Sequence, residues 1–179
     1  MSAARPFAAV VRLAAIAVVC CCAATAAGAD PAKEFAGSLT DPPPEAQRVV
    51  RGSVYVPAYA AIRIGGGKGR LELATTLSVH NVSRDTPLVI ERIDYHDTTG
   101  RRVQSFLPQA VALKPMATIE AFVPAEDVRG GSGANFIVDW AATGPVARPA
   151  VEAVMIGAIG AASYSFVSVG RASETVGPR

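Results

Sequence analysis

The chain has 179 residues, half of them hydrophobic, with 17 basic against 15 acidic side chains and a net charge of +2. That balance excludes a disordered segment, a collagen repeat and a charged coiled coil, each of which needs a marked bias in apolar content, glycine period or charge. Without Arg5 and Arg12, the 150 residues after position 29 carry 15 bases against 15 acids, so the basic excess that nucleic-acid binders gather on one element is missing and no nucleic-acid partner is expected.

Residues 1–29 read as an export signal. Arg5 and Arg12 precede an apolar run at 13–22, and small residues fill 23–29. This basic, apolar, small order is that of a secretory signal peptide. Ala27-Gly28-Ala29 before Asp30 is the better cleavage site and Ala24-Thr25-Ala26 the second. The run is short for a membrane span, and no later segment is long enough for one, so no transmembrane segment is expected in the mature chain. A competing reading anchors the chain to lipid through Cys20, Cys21 or Cys22, although the positions before them lack the small residue such a site uses. Cleavage at Asp30 discards all three cysteines and leaves a domain without disulfides, which a 150-residue bacterial domain with its own core tolerates. Fourteen arginines against three lysines point to a GC-rich bacterial genome, and the periplasm is the expected compartment.

Residues 30–47 form a leader ending in Asp41-Pro42-Pro43-Pro44. Consecutive prolines fix an extended backbone without donors, so an extended leader is expected there. The domain follows at 48–170, and a flexible tail at 171–179. Within the domain, short apolar runs alternate with Gly, Pro, Asn and Asp. Strands are expected at 52–56, 60–64, 71–79, 88–96, 101–107, 116–123, 134–141, 151–156 and 163–169. The clearest is 71–79, where Leu71, Leu73, Leu77 and Val79 share one face. A hairpin through 81–87 would return it along 88–96, and Asp97-Thr98-Thr99-Gly100 would turn into the next strand. The fold class is therefore all-β: an immunoglobulin-like β-sandwich of eight or nine short strands, with a partly open barrel as the alternative.

Candidate chemistry is sparse. His80 and His96 fall at opposite ends of the expected hairpin and cannot share a metal. His96 does share a strand face with Asp94 and Arg92, and a His–Asp pair can serve as a general base; a solvated polar row is the simpler reading. Gly65-Gly66-Gly67-Lys68-Gly69-Arg70 lacks the ending of a phosphate loop and reads as a hairpin connection. Gly130-Gly131-Ser132-Gly133 before Asn135 lacks the last glycine of a nucleophile elbow. Its glycines can expose N–H groups to a ligand or make a tight turn fastened by Asn135. The acids Glu91, Asp94, Asp97, Asp139 and Glu152 show no pairing that specifies glycoside hydrolysis. Asn81-Val82-Ser83 matches a glycosylation acceptor and is set aside for a bacterial chain.

Four segments, Val54-Tyr55-Val56-Pro57-Ala58-Tyr59, Ile93-Asp94-Tyr95, Gly130 to Trp140 and Val151 to Gly157, resemble a bacterial secreted family, the domain of unknown function three-one-two-four. The resemblance spans about 48–170 and implies an exported bacterial protein; it assigns no catalytic residue. The resulting expectation is a non-enzymatic binding or interaction module of the periplasm or cell envelope, with an envelope protein or a small ligand as its partner. The alternative is a small-ligand or metal-binding accessory protein. Candidate ligand-binding residues are Gly130, Gly131, Ser132, Gly133, Asn135, Asp94 and His96. No catalytic residue, metal ligand or cofactor is assigned.

Overall fold

The computed structural model describes residues 30–173. Residues 1–29, where an export signal with three cysteines is expected, and residues 174–179 lie outside the described residues. Thirteen strands follow in order: β1 Leu39–Thr40, β2 Val50–Pro57, β3 Ala61–Ile64, β4 Gly69–Glu72, β5 Ala74–His80, β6 Leu88–His96, β7 Arg102–Ser105, β8 Val111–Leu113, β9 Thr118–Val123, β10 Asn135–Ala142, β11 Ala150–Ile159, β12 Ala162–Val169 and β13 Arg171–Ala172. A seven-stranded sheet has the order β1-β8-β6-β10-β2-β13, with β7 also paired to β6; a four-stranded sheet runs β12-β11-β5-β9, and β3-β4 is a separate hairpin. The two larger sheets stack over one apolar core, so the described residues form an all-β sandwich with no closed barrel among them. The strands outnumber the expected eight or nine because β1, β8 and β13 are only two or three residues long and the expected strand 71–79 is divided.

That division falls at Leu73, whose N–H donates to Ala60 O at 3.0 Å, in the register of the β3–β4 pair, before the chain passes into β5 and the small sheet. Leu71, Leu73, Leu77 and Val79 are all buried, as their spacing requires. The segment before Leu73 nevertheless pairs with β3 across a turn in which Gly65, Gly66 and Gly67 adopt φ of +58°, +67° and +87°. Only glycine enters that region without strain, so this glycine run makes the hairpin.

The expected hairpin between 71–79 and 88–96 does not form. β5 pairs with β11 and β9, whereas β6 pairs with β10, β8 and β7, so the loop between them arches from one sheet to the other. An arch and a hairpin satisfy the same alternation, because either way the strand presents its apolar face to the same core. The side chain of Asn81 holds the arch. Its Nδ2 donates to the carbonyls of Thr86, Leu113 and Lys114 at 2.9, 3.2 and 3.0 Å, and its Oδ1 accepts from Ser83 N at 3.0 Å. Replacing Asn81 with alanine strands buried carbonyls and is expected to lower unfolding stability by about 2 kcal/mol. Urea denaturation checks this; a loss under about 0.5 kcal/mol, the range of ordinary surface changes, contradicts it.

The leader is more structured than an extended segment. Asp30 Oδ1 caps α1 (Pro31–Glu34) by accepting from Ala32 N at 3.0 Å, and Pro31 opens the helix where its missing N–H costs nothing. β1 then pairs with β8. The boundary drawn at Gly170 is also short of the sheet, since Arg171 and Ala172 pair with Tyr55 and Val54.

Candidate binding face

Side chains alternate along β6, so Ile93 and Tyr95 enter the core while Arg92, Asp94 and His96 point to the outer face of the seven-stranded sheet. The neighbours complete this face. β10 sets Asn135, Ile137 and Asp139 opposite His96, Asp94 and Arg92; β7 sets Ser105 opposite Asp94 and, across a bulge, Arg102 opposite His96. The sequence thus brings Asp94, His96 and Asn135 together as candidates, and the sheet adds Arg92 and Arg102 to them.

Arg92 donates to Asp139 Oδ2 from Nε at 3.0 Å and from Nη2, and its Nε lies 3.2 Å from Asp94 Oδ2. Arg102 Nη1 reaches the same Asp94 oxygen at 3.3 Å. The hydrogen bonds to Asp139 hold the Arg92 guanidinium above its usual pKa, with the nearby charges of Asp139 and Asp94 adding to the shift. Asp94 is only 2% exposed, and its Oδ1 has no hydrogen-bond partner; the buried Nδ1 of His96 has none either. The two atoms therefore do not bond to each other, and the candidate His–Asp base pair is not assembled. His80 lies in the other sheet, where its Nδ1 and Thr118 Oγ1 are 2.8 Å apart. Among the described residues, no group of three or more His, Cys, Asp and Glu side chains is placed to hold a metal ion.

The turn from β6 to β7 is held by Asp97. Its Oδ1 accepts from Thr99 N at 2.9 Å, Thr99 Oγ1 at 2.7 Å and Arg101 N at 3.1 Å, and Gly100 takes φ +83°. The Thr99 hydroxyl, with the backbone N–H groups of Arg101 and Thr99, lowers the Asp97 pKa from 3.8 to about 2. A carboxyl whose folded pKa lies below its unfolded value contributes stability above the unfolded pKa and loses it as pH falls through the folded one. Asp97→Asn is accordingly expected to lower Tm at neutral pH, and the gap to the unaltered chain should close between about pH 5 and about pH 2. Thermal melts across that window check this, and a gap independent of pH contradicts it.

The glycine-rich segment Val128–Gly133 forms two 3-10 turns joined at Gly131, where φ is 72°. Two of its carbonyls and one N–H are engaged by neighbouring segments. Thr98 N and Thr98 Oγ1 both donate to Gly130 O at 3.0 Å, Gly133 N donates to Thr98 Oγ1 at 3.0 Å, and Ala60 N donates to Gly131 O at 2.9 Å. Thr98, rather than Asn135, fastens the loop, a role with no separate signal in the sequence. A side chain at Gly130 would run into the Tyr95 hydroxyl, so this glycine is required by close approach. Burial pushes the Tyr95 phenol up to about 12. Ser132 lines a cavity of about 130 Å³ with Arg63 and Arg70, apart from the Asp94 cluster.

The matched segment includes this whole face. Residues 51–172 match the family model described as "Protein of unknown function (DUF3124)". The chain belongs to this family. Within the DUF3124 domain lie Asp94, His96, the glycine-rich loop and Asn135, whereas α1 and β1 precede it. No curated protein matches the chain. Among solved structures it is similar to the "Crystal Structure of Thermotoga maritima 1070", at 12% identity and a TM-score of 0.40 over 67% of this chain and 92% of that one. No helix among the described residues is long and apolar enough to cross a membrane.

Proposed function

We propose that this DUF3124 chain is an exported, non-enzymatic binding module of the bacterial periplasm or cell envelope. Its partner seats on the outer face of the seven-stranded sheet around Asp94 and His96. The observation that carries this reading is the pair of buried atoms, Asp94 Oδ1 and His96 Nδ1, that lack hydrogen-bond partners beside two arginines. Folded proteins seldom leave such buried atoms unsatisfied. A partner group with an N–H or O–H donor supplies what Asp94 lacks. Export rests on the basic, apolar and small run of residues 1–29. The non-enzymatic reading rests on the unassembled His–Asp pair.

Asp94→Leu separates binding from folding. Arg92 and Arg102 are about half exposed and turn to water when the carboxylate is removed, so stability is expected to change by less than about 1 kcal/mol. A photoreactive side chain at the exposed Ser105, opposite Asp94, should cross-link an envelope component in the unaltered chain and lose it in Asp94→Leu. Absence of any adduct, or an adduct indifferent to the substitution, contradicts the reading. A small ligand with the same donor is the second reading, favoured by the depth of Asp94 in the face; it predicts a bound mass in a native spectrum in place of a cross-linked protein.

A further inference from the structure

Two hairpins leave the sandwich side by side at one end. β11 and β12 stay paired from Glu152 opposite Val169 to Ile159 opposite Ala162, so only Gly160 and Ala161 turn between them, Gly160 with φ +57°. β5 accompanies β11 only as far as Ile156, and the tip projects beyond it. The hairpin of β3 and β4 lies next to that tip. β4 leads into the start of β5, and a Cβ at Gly157 would come within 2.7 Å of the Glu72 carbonyl oxygen and of Leu73 Cδ2.

The projecting tip is apolar on both faces. Alternation puts Ile156 and Ala158 on one face and Ile159 and Tyr164 on the other. Ile156 is 54% exposed, Ile159 48% and Tyr164 43%, and holding such groups in water costs free energy. The 18 residues from Ala153 to Gly170 contain no Lys, Arg, Asp, Glu or His. The acids of the same sheet, Glu120 and Glu152, sit away from the tip, both opposite Ser78.

The neighbouring hairpin carries positive charge without a counter-charge. Arg63 and Arg70 are direct cross-strand partners, an arrangement that repels, and Lys68 stands in the turn between them. Arg48, Arg51, Arg92, Arg101, Arg102 and Arg129 each meet a carboxylate, whereas among the described residues Arg63, Lys68 and Arg70 meet none. Glu72 is the one acid against these three bases in residues 61–72. The cavity of about 130 Å³ that the two arginines line with Ser132 has room for a phosphate group.

We propose that this end of the sandwich docks on a bilayer of anionic phospholipid, the 156–164 tip entering the headgroup region while Arg63, Lys68 and Arg70 hold lipid phosphates. Apolar insertion and basic side chains add as two modest terms, and together they hold a peripheral domain on an anionic surface. The outer edge of β12 still needs water for its unpaired backbone groups, so the tip stops at headgroup depth. The inference uses neither Asp94 nor His96 and stands without the binding reading above.

Tryptophan emission from the full chain carrying Tyr164→Trp, titrated with vesicles of equal parts phosphatidylglycerol and phosphatidylcholine, tests it. The exchange keeps an aromatic at the tip, and Trp140 is buried and gives a constant background, so the signal reports the tip and not an attachment through residues 1–29. The expected result is a blue shift that saturates with lipid and is absent with phosphatidylcholine alone. Adding Arg63→Gln and Arg70→Gln together should raise the lipid required at least about tenfold, since each base near an anionic surface is worth about fivefold. Ile159→Asp should do the same by charging the tip, and Arg84→Gln, in the arch at the other end, should change nothing. All these side chains are exposed, so the fold is kept. No shift, an equal shift with phosphatidylcholine alone, a shift that survives the arginine pair or Ile159→Asp unweakened, or one that Arg84→Gln weakens as much, overturns the proposal.

Discussion

Trp140→Ala is expected to reduce unfolding stability by about 3–5 kcal/mol, the range for deleting a large buried aromatic. Trp140 is 5% exposed and lies on the inner face of β10, the strand flanked by both β6 and β2. Its indole rests on the backbone of Gly52, directly opposite in β2; an ideal Cβ there would come within 2.5 Å of the ring. Gly52 has no side chain to move into the vacated space, so the cavity collapses poorly. The same ring edge helps to line a cleft of about 310 Å³ with Val146 and Arg148. Guanidinium denaturation followed by circular dichroism checks the loss, and a change under about 1 kcal/mol places the indole energetically at the surface.

Gly130→Val is expected to cost about 3 kcal/mol or more through overpacking. The added Cβ would overlap the Tyr95 hydroxyl and come within 2.7 Å of Ala134 Cβ. Tyr95 has little room to retreat, being fully buried with its ring centroid 4.9 Å from that of Phe136, which in turn lies 6.0 Å from Phe106. A thermal melt of Gly130→Val with and without Tyr95→Phe measures the coupling. Removing the hydroxyl should recover part of the loss, and a loss unaffected by Tyr95→Phe contradicts this contact as its cause. The outcome also separates packing from recognition at Gly130, since a glycine kept only for ligand approach would leave stability nearly unchanged.

The all-β class was legible because alternation at Leu71 to Val79 and β-branched runs closed by Gly and Asn have few other solutions. The β6–β7 turn was legible in the same way, from Asp97 and Gly100. Long-range pairing was not. Period-two alternation states which residues face the core but not from which side, so the arch at Asn81 looks like a hairpin in sequence. Glu91 hides a second irregularity: opposite Asp139 and Trp140 the register passes from Arg92 to Ile90, which lets both Ile90 and Ile93 face the core. The candidate face was partly legible, since Asp94, His96 and Asn135 do converge. Arg102 and Thr98 were not, because their roles depend on β7 and on a loop about thirty residues away meeting the end of β6.

The most direct test of the exported binding module is a pair of mass spectra, denatured and native, of the protein recovered from the exported fraction of its host. The account predicts a covalent mass beginning at Asp30, without Cys20, Cys21 or Cys22, in a chain that reaches the exported fraction and there holds or cross-links a partner through the Asp94 face. A chain that keeps residues 1–29 and stays inside the cell contradicts it, and an acylated cysteine would place the protein on the membrane surface instead.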